Sequence, residues 1–235
     1  MKKGLVFRST GSWYTVESDG VFYACRIKGK LRLKGIKSTN PIAVGDWVLF
    51  EVDRHASEPE GTIVEIEERQ NYIVRKSVNL SKQTHIIASN IDQVFLLITL
   101  YNPPTFPAFI DRFLVTAEAY QIPSILVFNK LDTCSPEQEQ EIDALAAVYE
   151  NIGYTTLKIS ATDGHNISEI ESMMQNKVSM FSGHSGVGKS TLINAIAPDL
   201  NLKTAAISDQ SQQGTHTTTF AEMFALPKGM KLIDT

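Results

Sequence analysis

The spacing of apolar and polar positions changes near residue 70 of this 235-residue chain. Before that point, short runs alternate between apolar and polar residues, as half-buried strands do, and turn signals such as Ser18-Asp19-Gly20 separate them. Five closely spaced runs of this kind predict a small all-β barrel. The runs are GLVFRS, SWYTVES, VFYACRIK, DWVLFEV and GTIVEIEE.

Beyond Asn71, apolar strands alternate with longer helical segments, which is typical of a mainly parallel sheet wrapped by helices. The predicted strands are residues 91–100, 124–129, 154–160 and 177–182, followed by FAEMFAL and KLID near the end of the sequence. The predicted helices are residues 110–121, 136–151, 167–176 and 188–197. A polar stretch at 201–219 has neither the periodicity of a strand nor that of a helix, and it is predicted to be a functional loop. We expect two domains, residues 1–70 and 71–235, the second with a doubly wound α/β fold.

Composition places the chain among globular proteins, with 43% hydrophobic and 20% charged residues. Its longest apolar run, Val94 to Tyr101, is far shorter than the roughly 20 residues of a membrane span. No signal peptide is evident at the N-terminus, and two cysteines are too few for a disulfide scaffold or a cysteine-based zinc site. We therefore expect a cytoplasmic protein with no membrane association.

Residues 183–190, GHSGVGKS, match the pattern G-x-x-x-x-G-K-[ST] between a predicted strand and a predicted helix. Glycines let backbone N–H groups wrap a polyanion closely, and the helix N-terminus adds partial positive charge. We expect Lys189 to reach the β- and γ-phosphates of a nucleotide and Ser190 to ligate Mg²⁺. The alternative is a glycine-rich turn before an ordinary helix. The predicted phosphate-site residues are Gly183, His184, Ser185, Gly186, Val187, Gly188, Lys189, Ser190 and Thr191.

A second strand, ILVFNKLD, runs out into Asn129, Lys130 and Asp132. A carboxylate such as that of Asp132 accepts hydrogen bonds from N1–H and the 2-amino group of guanine, whereas adenine has an acceptor at N1 and no 2-amino group. The pattern therefore predicts GTP or GDP as the ligand. Ser160 and Ala161 follow a third strand, where a backbone N–H is expected to meet the guanine carbonyl. Taken alone, N-K-x-D is equally a capped turn, and Ser160-Ala161 equally a plain strand end.

GTHTTT, residues 214–219, lies in the polar stretch, and we expect a threonine there to complete the Mg²⁺ shell and sense the γ-phosphate. Thr218 is the first choice and Thr217 the second. The alternative is a β-prone run that leads into the next strand. The last predicted strand ends at Asp234 in the sequence KLIDT, and this aspartate is expected to bind Mg²⁺ directly or through water. The predicted metal ligands are Ser190, Thr218 and Asp234.

His216 is the expected residue to orient the water that attacks the γ-phosphate, because it is a hydrogen-bonding side chain beside the candidate threonines. A contact with solvent or a partner is the alternative for a lone loop histidine. His184, within the phosphate loop, is expected to support the conformation of that loop. The predicted catalytic residues are His216, Lys189 and Thr218.

The motifs stand in an unusual order, with NKLD and Ser160-Ala161 before the phosphate loop, and GTHTTT and Asp234 after it. In the common arrangement of GTPases the phosphate loop comes first, so the order indicates a circularly permuted domain. Permutation is tolerated because the termini of a domain often lie close together. With a small barrel in front, this order resembles the RsgA (also called YjeQ) family of bacterial GTPases.

The resemblance implies an OB-fold barrel, a permuted GTPase domain and a C-terminal zinc-binding domain. It also implies a role in late maturation of the small (30S) ribosomal subunit, with GTP hydrolysis stimulated by that subunit. The sequence stops at Asp234-Thr235, so the expected Pro-Gly continuation and the zinc domain are absent from it, and we expect the chain to be incomplete. Zn²⁺ is therefore expected only outside these residues.

A cationic strip begins within the third β run, and its basic residues take every second position and so share one side of an extended chain. Residues 1–40 carry nine Lys and Arg against two acids, although the net charge of the whole chain is −4. Taken alone, the strip is equally a solvated edge strand or a face that binds a phosphate backbone, with nearby aromatic residues expected to stack on bases. The family resemblance favours the second interpretation and implies ribosomal RNA as the partner. The strip is Arg26, Lys28, Lys30, Arg32, Lys34 and Lys37, and the aromatic residues are Trp13, Tyr14, Phe22 and Tyr23.

Three candidate functions can be compared with these residues. The first is a GTPase that acts as a switch on the small subunit, and we expect it to be a monomer. The second is a GTP-gated RNA-binding protein with negligible intrinsic turnover. The third, an ATPase or adenine-nucleotide kinase, disagrees with the guanine selection expected from Asp132.

Overall fold

The computed structural model describes residues 1–27, 41–76, 84–200 and 221–234. Among these, one compact unit comprises residues 1–91, 221–225 and 232–234, and the other comprises residues 92–200 and 226–231. The predicted loop at 201–219 lies outside the described residues.

Five strands of the first unit close into a barrel. They are β1 (Lys2–Ser9), β2 (Tyr14–Ser18), β3 (Val21–Ile27), β4 (Trp47–Val52) and β5 (Glu60–Ile66). The hydrogen-bonded cycle runs β1-β2-β3-β5-β4 and returns to β1, with only the β3–β5 pair parallel. Each strand lies within two residues of its predicted run. The predicted barrel is therefore confirmed, and its strand order is that of an OB-fold.

Alternation along these strands fills the barrel. In β2, for example, Tyr14, Val16 and Ser18 are buried while the intervening residues are partly exposed. This is the period-2 pattern of a sheet with one face against a core. The buried core residues are Val6, Tyr14, Val16, Tyr23, Cys25, Ile42, Val48, Phe50 and Ile63.

A buried ion pair lies beside the barrel. The Arg69 guanidinium donates to both carboxylate oxygens of Asp46, each at 2.6 Å, and Ser89 Oγ donates to Asp46 Oδ1 at 2.5 Å. The Ala43 backbone N–H donates to Asp46 Oδ2 at 2.8 Å. The Asp46 side chain is fully buried and that of Arg69 is 6% exposed. One carboxylate thus ties together three segments that are distant in sequence.

Three further strands belong to this unit, and only the last of them was predicted. A hairpin of β6 (Tyr72–Lys76) and β7 (Thr84–Ser89) follows the barrel, in a region that the sequence indicated only as a domain boundary. Strand β12 (Glu222–Ala225) pairs antiparallel with β1 at Glu222 and Arg8.

The second unit contains a parallel four-stranded sheet with helices, as predicted. Its strands are β8 (Gln93–Ile98), β9 (Ser124–Phe128), β10 (Thr155–Lys158) and β11 (Val178–Ser182), in the order β10-β9-β8-β11. Its helices are α1 (Pro107–Ala119), α2 (Pro136–Asn151), α3 (Ile167–Met174) and α4 (Lys189–Ile196). Single turns of 3-10 helix lie at Leu131–Thr133 and Pro198–Leu200, and strand β13 (Lys231–Asp234) ends the described chain.

Local sequence explains where these elements lie. Every residue of β8 is buried, as expected for a central strand covered on both faces. Helix α2 begins with a reciprocal capping box, in which the Ser135 side chain accepts from the Gln138 backbone N–H and the Gln138 side chain accepts from the Ser135 backbone N–H. Pro136 then occupies the first turn, where its missing N–H costs nothing.

The strand order creates a switch point. From β8 the chain moves to β9 and β10 on one side, and then crosses to β11 on the other side of β8. The switch point lies at the carboxyl ends of the neighbouring strands β8 and β11. Ligands of open α/β sheets bind at this position.

Removing the charge partner of Asp46 tests the buried ion pair. Arg69→Met leaves the carboxylate buried without a cation, and the free energy of unfolding is expected to fall by about 3–5 kcal/mol. Both tryptophans of the chain, Trp13 and Trp47, lie in the first unit. Urea unfolding followed by tryptophan fluorescence therefore reports on this unit.

The matched control is Glu67→Gln, which removes the more exposed pair that Glu67 makes with Lys3. Its expected effect is below about 1 kcal/mol. A loss for Arg69→Met no larger than that of the control would contradict the stabilising role of the buried pair.

Candidate functional site

The three predicted nucleotide-binding segments all leave the same edge of the parallel sheet. Asn129 follows β9, Ser160 lies shortly after β10, and Gly183 follows β11. Parallel strands place their carboxyl ends at one edge, so motifs far apart in sequence become neighbours there. All three segments belong to the second unit.

The Asn129 side chain connects the segments directly. Its Nδ2 donates to the carbonyl of Val187 in the phosphate loop at 2.9 Å, and its Oδ1 accepts from the Ala161 backbone N–H at 3.1 Å. Asn129 is 3% exposed. A buried amide satisfied on both sides in this way fixes the relative position of the two loops that it bridges.

Asp132 lies in the 3-10 turn after Asn129, and its carboxylate is held from one side. Ser160 Oγ donates to Asp132 Oδ1 at 2.7 Å, and the same hydroxyl accepts from the Asp163 backbone N–H at 3.2 Å. Ser160 is buried, whereas Asp132 is exposed. The structure thus presents an oriented, accessible carboxylate beside Asn129.

Lys130 has a left-handed backbone conformation, with φ 70°. Its ammonium donates to the carbonyl of Asn102 at 2.6 Å. Burial lowers the pKa of Lys130, and the nearby Asp132 charge raises it in partial compensation. The lysine side chain therefore lies along the site and connects the base motif to the loop after β8.

The phosphate loop depends on glycine at two close approaches. Gly188 has φ 97°, and a Cβ there would lie 2.4 Å from Asn129 Nδ2. Gly183 has φ 148°, and a Cβ there would lie 2.7 Å from the Leu97 carbonyl oxygen. Both conformations are unfavourable for residues with a side chain, and both spaces are filled. Glycine therefore brings this loop against the base motif and against β8.

Lys189 opens helix α4 and folds back over the loop. Its ammonium donates to the carbonyls of Gly183 at 2.9 Å and His184 at 3.4 Å. Ser190 and Thr191 follow it in the first turn of the helix. A loop that ends at a helix N-terminus and carries an ammonium group is an anion-binding arrangement.

The His184 ring packs on the Phe109 ring of α1, with centroids 3.8 Å apart and an angle of 35° between the planes. Burial, followed by the charge of Lys189, lowers the pKa of His184. At neutral pH the imidazole is therefore predominantly uncharged.

The remaining predicted residues are not part of these three segments. His216, Thr217 and Thr218 are outside the described residues. Asp234 ends β13 and belongs to the first unit, half-buried. Within the described ranges, no group of three or more His, Cys, Asp or Glu is arranged to hold a metal ion.

The cationic strip is described only at Arg26, whose guanidinium lies 3.8 Å from the centre of the Trp13 ring. Lys28, Lys30, Arg32, Lys34 and Lys37 lie outside the described residues. Of the four nearby aromatic residues, Trp13 and Phe22 are exposed, but Tyr14 and Tyr23 are buried in the barrel core. The expectation that Tyr14 and Tyr23 stack on bases is therefore wrong, because period-2 alternation turns both inwards.

The structure also adds residues that the motifs did not indicate. Asn102 contacts the base motif and Phe109 contacts the phosphate loop, although neither belongs to a recognised pattern. The available signal was the turn sequence Asn102-Pro103-Pro104, which begins four residues after the end of the buried strand β8. In the part of the chain that the structure describes, no helix is both long and apolar enough to cross a membrane.

Comparison with known proteins supports the family resemblance that the motifs indicated. The family model for the RsgA GTPase matches residues 66–235, and the model for the RsgA N-terminal domain matches residues 3–63. The chain is 62% identical over 234 residues to the small ribosomal subunit biogenesis GTPase RsgA of Christiangramia forsetii, covering 99% of this chain and 74% of that protein. It is 52% identical over 236 residues to small ribosomal subunit biogenesis GTPase RsgA 2 of Bacteroides thetaiotaomicron, with 99% and 74% coverage.

Two solved structures match this chain along its full length. YjeQ from Thermotoga maritima superposes with a TM-score of 0.76 at 32% identity, covering all of this chain and 74% of that one. YloQ, described as a circularly permuted GTPase, superposes with a TM-score of 0.72 at 29% identity, covering all of this chain and 71% of that one. Together with the convergent motifs in permuted order, these matches show that the chain belongs to the RsgA family of GTPases.

Proposed function

We propose that this chain binds and hydrolyses GTP and acts in late maturation of the small ribosomal subunit, which stimulates the hydrolysis. The observation that carries nucleotide binding is the Asn129 bridge between the base motif and the phosphate loop. The ribosomal role comes from the names of the relatives, which are small ribosomal subunit biogenesis GTPases.

We assign the two activities to two domains, an RNA-binding barrel in residues 1–70 and the GTPase in residues 71–235. The two family models support a boundary in this region, because one ends at residue 63 and the other begins at residue 66. As a member of a ribosome biogenesis family, the protein is proposed to work in the cytoplasm as a monomer.

Guanine selection is assigned to Asp132. One of its oxygens already accepts from Ser160 Oγ, which orients the carboxylate in the exposed turn. The carboxylate is then available for N1–H and the 2-amino group of guanine. The Ala161 N–H, which donates to Asn129 Oδ1 in this structure, is proposed to be shared with the O6 carbonyl. Adenine would place its N1 acceptor against the same oxygen and leave the carboxylate unpaired.

Phosphate binding and hydrolysis are assigned to the loop and its surroundings. Lys189 leaves its loop carbonyls to contact the β- and γ-phosphates, and stabilises charge that develops as water attacks the γ-phosphorus. Ser190 has the hydroxyl oxygen that Mg²⁺ prefers, so Ser190, Thr218 and Asp234 would hold this ion, which neutralises phosphate charge. His216 is proposed to orient the attacking water.

Binding to ribosomal RNA is assigned to the barrel. Arg26 stacked on the exposed Trp13 offers both a cation and a ring face, which suits a phosphate backbone with an unpaired base. The remaining strip residues Lys28, Lys30, Arg32, Lys34 and Lys37 are proposed to extend this face.

Single-turnover hydrolysis with and without purified small ribosomal subunits tests the proposal. The wild-type chain is expected to hydrolyse bound GTP slowly alone and at least tenfold faster with subunits, since the partner completes the arrangement around the γ-phosphate. Equal rates with and without subunits would contradict stimulation. Binding of GTP and subunits without any measurable turnover would instead favour the GTP-gated binding protein.

Two variants in the same assay separate docking from chemistry. Charge reversal of Lys28, Lys30 and Lys34 is expected to raise the subunit concentration needed for stimulation, more strongly at high salt, with GTP affinity unchanged. His216→Ala is expected to lower the maximal rate at saturating subunits and to leave GTP affinity near wild type. A wild-type rate for His216→Ala removes this residue from the mechanism.

Asp132→Asn tests base selection. The amide places an N–H₂ donor where guanine also has donors, so GTP affinity is expected to fall at least 100-fold, while xanthosine triphosphate, with a carbonyl at C2, gains. Competition against a fluorescent guanine nucleotide measures both. The control is Asp199→Asn, which makes the same charge change at an exposed position of the second unit. Unchanged preference for GTP over ATP and xanthosine triphosphate in Asp132→Asn would refute the assignment.

A further inference from the structure

The segment between β8 and the first turn of α1 lies against both parts of the nucleotide site, although no nucleotide-binding motif includes it. It runs from Asn102 to Phe109 and belongs to the second unit, as do the motifs that it contacts. We call it the 102–109 segment.

The 102–109 segment contacts the phosphate loop through one ring. The Phe109 ring packs on the His184 ring with centroids 3.8 Å apart. Pro103 lies beside Gly186 with room for a methyl group between them, since a Cβ on Gly186 would lie 3.5 Å from Pro103 Cδ. The Phe109 ring therefore supports the loop from the side of α1.

The same segment also contacts the base motif. The Asn102 carbonyl accepts from the Lys130 ammonium at 2.6 Å. The phosphate loop and the base motif are already joined by Asn129, so the 102–109 segment provides a second, independent connection between them.

This segment is itself firmly held. Thr99 and Thr105 are both almost fully buried. The Thr99 hydroxyl donates to the Pro103 carbonyl at 2.6 Å, and the Thr105 backbone N–H donates to the Thr99 carbonyl at 2.7 Å. These bonds anchor the segment to the end of β8, the central strand of the sheet. A segment anchored to the core moves little, and a segment that positions a binding loop must be rigid in this way.

A phosphate loop binds a polyanion well only when its N–H groups already point at a common centre. Rigidity in the free state reduces the conformational entropy lost on binding. Of the two residues in the ring contact, His184 is an exposed residue of the loop. The partly buried Phe109 ring belongs to a helix packed on the core, and is the fixed partner.

We propose that Phe109 is a positioning residue for the phosphate loop, acting through its ring contact with His184, so that the loop is held ready for the diphosphate of GDP or GTP. The proposal rests on the proposed function and deepens it, because it adds a residue that governs nucleotide affinity without touching the nucleotide. The contact does not depend on the protonation state of His184, because both the neutral and the protonated imidazole stack on an aromatic ring.

Nucleotide affinity in a set of α1 and loop variants tests this proposal. Phe109→Ala and His184→Ala are each expected to raise the Kd for a fluorescent GDP analogue about two- to tenfold, the range for loss of one aromatic contact. The double variant is expected to be no weaker than the weaker single variant, because both substitutions remove the same contact. Phe109→Tyr keeps the ring and is expected to bind like wild type.

The matched control is Phe113→Ala, one turn further along α1, where the ring packs on the same hydrophobic core as Phe109. It is expected to lower the melting temperature of the nucleotide-free protein as Phe109→Ala does, and to leave the Kd unchanged. A merely structural role of Phe109 would make the two variants alike in both measurements, and that result overturns the proposal.

Further outcomes are equally decisive. Wild-type affinity in His184→Ala overturns the proposal even if Phe109→Ala does not fold, and so do fully additive losses in the double variant. Failure of the proposed function is distinguishable, because the wild-type chain would then not bind the GDP analogue at all. GTP-over-ATP selectivity is expected to stay constant in every variant of the set, since base recognition is left intact.

Discussion

The buried side-chain amide of Asn129 is the interaction on which the candidate site depends. It donates to the phosphate loop through the Val187 carbonyl and accepts from Ala161, so two loops that are 58 and 32 residues away in sequence meet on one group. Both bonds must be satisfied, because an unpaired polar atom at such a buried position costs about 1–3 kcal/mol. Gly188 allows the close approach, since any Cβ there would collide with this amide.

The parallel sheet makes this convergence independent of motif order. Strands β9 and β11 flank the central β8, and their carboxyl ends lie at one edge whichever of them comes first in the chain. A permuted order therefore leaves the geometry of the site intact, because a nucleotide contacts loop ends and not connections. Permutation does change the positions of the remaining motifs along the chain, since Thr218 and Asp234 come late in this sequence.

Periodicity predicted most elements of the fold. Helix α2 was predicted at its observed bounds, and the structure shows that a capping box of Ser135 and Gln138, with Pro136 in the first turn, fixes where it begins. The barrel strands followed from alternation. The hairpin β6–β7 was missed, because two short apolar runs beside a composition change read as a linker, and their pairing is a non-local property.

The site was predictable where a motif exists and not where tertiary contact alone defines a residue. The residues from Asn129 to Asp132 and from Gly183 to Ser190 were identified from spacing, because their chemistry requires fixed residue types. Phe109 and Asn102 act through packing and a backbone carbonyl, which leave no signature in one sequence. The inward orientation of Tyr14 and Tyr23 shows the same limit, since residue type alone suggested stacking on bases whereas the strand register buries them.

A crystal structure of the chain with GDP tests the central claim most directly. The account predicts one nucleotide that spans the Asn129 bridge, with an Asp132 carboxylate oxygen about 3 Å from guanine N1 and the phosphates under the backbone of residues 183–190. A nucleotide whose phosphates occupy the loop while its base lies away from Asp132, or one bound apart from the loop altogether, would contradict it.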